Sequence, residues 1–211
     1  MLQSGMPTND TNETFLSQFG RSGDTKEFFS PIPEGYQHGK TKFVIVLGTV
    51  MSGLGKGIFS SSLAKLLQDK GLSVTPVKLE GYLNIDSGTL NPFRHGEVFV
   101  LDDGTETDMD LGTYERILNQ NLSRANFTTA GQIYTEILTR ERAGGYLGRD
   151  VQMIPHVTGE VKRRLRQLAI EGGQNGKQAD VVFVEVGGTV GDYENGFYIE
   201  ALRELAYEEG P

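Results

Sequence analysis

The run Phe43-Val44-Ile45-Val46-Leu47, β-branched and apolar throughout, passes directly into the glycine-rich segment GTVMSGLGKG, residues 48–57, and then into a helical pattern. Few folds use that order. A continuous apolar run of this length reads as a strand buried on both faces, the environment of a parallel sheet. In the helical stretch Leu63, Leu66 and Leu67 fall on one face and Lys65, Gln68, Asp69 and Lys70 elsewhere. Gly71 is placed to cap the helix C-terminus. A second strand is expected over residues 73–79. Strand, loop, helix and strand together make the first βαβ unit of an α/β fold.

A glycine-rich turn at a helix N-terminus points several backbone N–H groups into one concavity, and the helix dipole adds positive potential there. Gly53, Gly55 and Gly57 let the backbone come close to a phosphate, and Lys56 supplies an ammonium for the β and γ phosphates. The ordinary phosphate-loop pattern is G-x-x-x-x-G-K-[ST]. Here Val50 replaces its first glycine and Gly57 replaces the hydroxyl that would hold magnesium. If Gly57 cannot hold the metal, carboxylates must. The plainer alternative is a glycine-rich turn with a solvated lysine.

Two groups of carboxylates qualify. Glu185 lies near the end of the apolar run Val181-Val182-Phe183-Val184-Glu185-Val186. A carboxylate there is costly unless it is paired or binds a metal, and ligands of parallel sheets gather at the carboxyl ends of the strands. The segment DDGTETDMDLG carries Asp102, Asp103, Glu106, Asp108 and Asp110. Its spacing lacks the full calcium-loop pattern, whereas magnesium needs only one or two carboxylates besides phosphate and water. Spacing does not choose among these aspartates. Lys78, at the end of the second strand, suits charge neutralisation in phosphoryl transfer or is an ordinary strand-end lysine. His95 and Glu97, in FRHGEVF, stay ambiguous, since a lone histidine is commonly structural.

Residues 1–40 are rich in Gly, Pro, Ser, Thr and Asn without sustained periodicity, so residues 1–41 read as a tail or loosely docked arm ahead of a body over 42–211. Phe28, Phe29, Ile32 and Tyr36 are candidates to pin it. Residues 81–135 look loop-like, with one strand within 94–101; helices are expected over 130–142, 156–171 and about 195–209. The net charge of −8 argues against nonspecific nucleic-acid binding. The absence of cysteine excludes a thiolate metal site or a cysteine nucleophile in this chain. No apolar run approaches a membrane span and the first residues lack a signal pattern, so a cytoplasmic protein is expected.

The segments GTVMSGLGKG, LNIDSGTLNPFRHGEVFVLDDGTETDMDLGTYER, NFTT, YLGRDVQMIPHVTGEVK and VEVGGTVGDYE resemble the synthetase domain of the CTP synthases, in order and over Lys42 to Gly210. The resemblance implies a P-loop α/β fold similar to dethiobiotin synthetase. It implies an enzyme that uses ATP and Mg2+ to phosphorylate the uracil 4-oxygen of UTP and then displaces phosphate with ammonia, giving CTP. It further implies a homo-oligomer, dimer or tetramer, with ammonia delivered by a glutaminase domain or subunit. Carried over by position, Gly53, Leu54, Gly55, Lys56, Gly57 and Ile58 match the ATP loop, and Lys56 and Lys78 the phosphate-contacting lysines. Asp110, also an ATP-site residue, and Glu185 match the magnesium ligands. Ser52, Gln152, Asp192, Tyr193 and Glu194 match the UTP/CTP site, and Pro92, His95 and Val98 the ammonia-tunnel gate.

The chain departs from the family pattern in places. It has Ser52-Gly53 where two serines are usual, Leu79-Glu80-Gly81-Tyr82 where Leu-Asp-Pro-Tyr is usual, and Tyr193 within what is often Asp-Ile-Glu. The sequence stops before a KTKPTQ-like UTP-binding stretch, so the isolated chain is expected to lack part of the UTP pocket. Two other readings follow: a noncatalytic nucleotide-binding or assembly fragment, and a dethiobiotin synthetase-like ligase that shares only the fold.

Overall fold

The structure is a computed structural model that describes residues 31–51, 53–173 and 175–210. Its centre is a parallel sheet of four strands: β1 (Lys42–Val46), β2 (Val74–Glu80), β5 (Phe127–Thr129) and β6 (Val181–Val186), in the order β1-β6-β2-β5. Short strands β3 (Phe99–Val100) and β4 (Glu106–Thr107) form a separate antiparallel pair. Helices α1 (Lys56–Asp69) and α2 (Met109–Leu118) cover one face of the main sheet. Helices α3 (Ala130–Arg142), α4 (Thr158–Glu171) and α5 (Gly196–Glu209) cover the other. The architecture is the α/β class that the sequence predicts.

The pleat sorts side chains between the two faces. Along β6, Val181 and Phe183 pack with Ala64 of α1 and Leu111, Tyr114 and Leu118 of α2. Val182, Val184 and Val186 pack on the opposite side with Ile133, Leu165 and Leu202. Glu185 therefore continues the α1–α2 face. Lys78 is its direct neighbour on β2, so strand register alone sets an ammonium beside a carboxylate in the sheet.

Several expectations need correction. The first strand is not buried on both faces. It is an edge strand of the described sheet, and Phe43 to Val46 are each half-buried. β6 lies between β1 and β2, so the first βαβ unit skips a strand. Leu66 is 62% exposed; α1 instead buries the small residues Ser60, Ser61 and Ala64, which let it lie close to the sheet. Of residues 94–101 only Phe99–Val100 is strand, and Pro92–His95 is a turn of helix. The middle segment holds α2 and β5 rather than loop alone. The helix expected from residue 156 starts at Thr158, after a π-turn over Met153–Val157 that contains a cis Ile154–Pro155 bond. Gly71, with φ +88°, follows α1 and donates its N–H to the Gln68 carbonyl, as a helix-ending glycine does.

Tyr36 is buried against the core, with the Arg166 guanidinium 5.7 Å from its ring centre, whereas Ile32 is exposed. Phe28 and Phe29 lie outside the described residues. Lys162 and Arg166, both buried on α4, reach Glu204, Glu208 and Glu209 of α5 at 2.6–2.7 Å. On the other side of α4, Glu160 is fully buried and accepts hydrogen bonds from Arg140, Arg163 and Arg164.

Burial works against ionised Glu160, but the bonds and charges of Arg163 and Arg164 outweigh it and hold its pKa below the usual value of 4.5. On acidification the unfolded chain takes up this proton first. The contribution to stability is complete above about pH 4.5 and is lost as pH falls through the lower folded value. Glu160→Gln is expected to cost roughly 2 kcal/mol at neutral pH, because Arg163 and Arg164 lose their counter-charge and Arg140 keeps only Glu136, all three remaining partly solvated. It should also flatten the acid limb of stability against pH. Urea unfolding between pH 3 and pH 7 checks both, and parallel curves for the two proteins would contradict the assignment.

Candidate active site

The loop after β1 turns into α1 through Gly55, whose φ of +86° is left-handed and open to glycine at little cost. The first helical residue is Lys56. Its Nζ donates to the Gly188 carbonyl at 2.8 Å, in the loop after β6. The Val190 N–H donates to the Gly48 carbonyl at 2.8 Å. Both loops therefore meet at the carboxyl end of the sheet, beside a helix N-terminus.

Gly57, next along α1, faces the carboxylates. A Cβ added there would sit 2.8 Å from Asp110 Oδ1 and 3.5 Å from Glu185 Oε2. The space that glycine leaves open is thus bordered by one oxygen from each carboxylate. Their other oxygens turn toward Lys78, which donates to Asp110 Oδ2 and, at 2.9 Å, to Glu185 Oε1. Glu80 and Asp108 lie 3.6 and 3.7 Å from the same ammonium. Asp110 is held by local chemistry: the Asp108 side chain caps α2 by accepting from the Asp110 N–H at 3.1 Å.

Burial opposes the charge on Lys78, but Asp108, Glu80, Glu185 and Asp110 outweigh it and raise its pKa, so it stays an ammonium. Burial pushes Glu80 up to about 8, with Lys78 pulling it down and Asp108 adding to the rise. Four acidic side chains, Glu80, Asp108, Asp110 and Glu185, thus surround one ammonium. That excess of negative charge suits a divalent cation. Among the described residues no three His, Cys, Asp or Glu side chains form a metal-holding group. A pair of carboxylates that leaves the remaining positions to phosphate and water is the usual magnesium arrangement.

The other candidates are more dispersed. Leu54 and Ile58 are exposed on the loop and first turn of α1. Ser52 lies outside the described residues. Asp192 accepts from the Thr189 N–H at 2.7 Å, and Tyr193 and Glu194 beside it are exposed. Gln152 is exposed on the stretch leading into α4, its N–H donated to His156 Nδ1 at 3.0 Å. Pro92 and His95 bound an exposed helical turn, the His95 ring stands edge-on to Tyr82, and Val98 follows on the same exposed stretch. Sequence reading missed Glu80 and Tyr114, and it gave Asp108 no role apart from its acidic neighbours. The spacing of Leu111, Tyr114 and Leu118 after a capping aspartate was the available signal for α2.

The family model described as CTP synthase N-terminus matches residues 42–211. The chain belongs to this family. It is 56% identical over 169 residues to the CTP synthase of Pyrobaculum calidifontis, which covers 80% of this chain and 30% of that protein. Identity to the CTP synthase of Thermosipho africanus is 53% over 169 residues, with the same 80% and 30% coverage. With the CTP synthase of Mycolicibacterium gilvum it is 51% over 180 residues, 85% of this chain and 31% of the relative. The chain thus spans about 30% of the length of the curated family members it matches. Among the described residues no helix is long and apolar enough to cross a membrane.

Proposed function

We propose that residues 42–211 form the ATP-binding part of a CTP synthase, a ligase that aminates UTP to CTP in the cytoplasm. The observation that carries this reading is the meeting of Asp110 Oδ1 and Glu185 Oε2 at Gly57, on the N-terminus of α1 beside Lys56. The backbone of Gly53 to Ile58 and the Lys56 ammonium bind the triphosphate. Asp110 and Glu185 hold Mg2+, which when bound neutralises charge on the β and γ phosphates. Lys78, bonded to the second oxygen of both carboxylates, supplies positive charge for phosphoryl transfer.

Ser52, Gln152 and the Asp192-Tyr193-Glu194 segment bind the pyrimidine nucleotide. Pro92, His95 and Val98 admit ammonia produced by a glutaminase domain or subunit outside this chain, and the assembly is a homo-oligomer. Proximity carries the chemistry: the residues place the uracil oxygen in line with the γ-phosphate and keep water away.

The test is to supply the chain with ATP, magnesium, UTP and ammonium and follow the absorbance change from UTP to CTP, with nucleotide binding measured separately. Binding of ATP with magnesium supports the assignment of the site. Absence of binding ends it. Because the chain spans about 30% of its relatives, binding without conversion favours a second reading, a nucleotide-binding fragment whose chemistry needs the remainder of the protein. Family membership stands against a ligase that shares only the fold.

A further inference from the structure

We propose that Tyr114 is a positioning residue for Glu185, fixing which of its oxygens is offered to the metal; this rests on the proposed role of Asp110 and Glu185 as metal ligands. The Tyr114 hydroxyl donates to Glu185 Oε2 at 2.9 Å. That is the oxygen bordering the space at Gly57, while Oε1 is taken by Lys78. With one donor on each oxygen, the carboxylate cannot rotate without losing a bond in a site where both residues are buried. The Tyr114 ring is fully buried among Leu111, Leu118 and Phe183, so its own position is set by packing.

If the ring served packing alone, the hydroxyl would be a liability, because burying it costs free energy unless it is bonded. Glu185 is its acceptor. Asp110 and Tyr114 are four residues apart on α2 and share a face. One helix therefore carries one proposed metal ligand and the group that aims the other. A shift of α2 would disturb both together.

Tyr114→Phe removes the hydroxyl and keeps the ring. The measurement is Mn2+ affinity, by electron paramagnetic resonance, of the chain saturated with a non-hydrolysable ATP analogue. Partners that orient metal ligands typically account for about 10–100-fold in affinity, and a loss of about tenfold is expected here. In a Glu185→Gln background the same change should cost nothing further. Unchanged Mn2+ affinity overturns the proposal. So does an equal loss in both backgrounds, which would mean that Tyr114 acts on the fold and not through Glu185. A wild-type chain that binds no Mn2+ with nucleotide removes the underlying metal site, and this inference with it. Should Tyr114→Phe fail to fold, fluorotyrosine at position 114 decides the matter by fluorine NMR. A resonance that moves when magnesium joins the bound nucleotide supports the role, and one that stays fixed refutes it.

Discussion

Gly57→Ser, which restores the hydroxyl of the ordinary phosphate loop, is expected to weaken binding of ATP with divalent metal by about 100-fold. The serine Cβ would stand 2.8 Å from Asp110 Oδ1 and 3.5 Å from Glu185 Oε2, the first closer than packing allows. Asp110 must move, and its bond to Lys78 is strained or lost. Loss of the bonds that orient a metal ligand typically costs about 10–100-fold in metal affinity. Gly57→Ala should do equal harm, because the added Cβ and not the hydroxyl causes it. The fold should persist, since the Asp110 side chain is 40% exposed and has room to turn away. Calorimetric titration of both variants tests this; a serine variant that binds as tightly as wild type would show that metal does not use this space.

That expectation depends on how the chain replaces one metal ligand with others, and the replacement was only half legible in the sequence. The phosphate loop and the strands on either side are local patterns, and Lys56 and Glu185 could be placed from residues 43–57 and 181–186 alone. Asp110 could not be singled out by spacing, because the acidic stretch from Asp102 to Asp110 has the composition of a solvated loop. In the structure that stretch divides. Glu106–Thr107 pairs with β3, Asp108 caps α2, and Asp110 falls in the first helical turn, where the dipole favours an acid.

Strand order was out of reach for a different reason. The insertion of β6 between β1 and β2 joins segments about a hundred residues apart, and it is this pairing that sets Lys78 beside Glu185. No periodicity encodes it. The same holds for Tyr114, whose position on a helix reads as core and whose hydroxyl gains meaning only from an acceptor 71 residues away. Leu66 misleads because its apolar spacing matches a buried face, whereas close packing on the sheet selects Ser60, Ser61 and Ala64. Gly57 departs from the local motif, and the carboxylates that compensate come from β6 and α2.

Lys56→Ala should be the most damaging single change to turnover, lowering ATP-dependent formation of CTP by at least about 100-fold when ammonia is supplied directly to the family protein carrying this domain. Removing one preorganised stabiliser of developing charge costs about 100–1000-fold in comparable sites. In the structure the Lys56 ammonium rests on the Gly188 carbonyl at 2.8 Å. The carbonyl carries no formal charge, so a phosphate oxygen attracts the ammonium more strongly. Arrival of the triphosphate therefore draws the ammonium across without a large penalty. The variant also loses the tie between α1 and the loop at Gly188, so its unfolding in urea must be compared with wild type; a single half-buried bond predicts a change of only about 1 kcal/mol. A fall in turnover with stability nearly kept assigns the loss to the phosphate contact. Turnover at the wild-type level with ammonia would leave the lysine as a strut between two loops, and the anion site would then rest on backbone N–H groups alone.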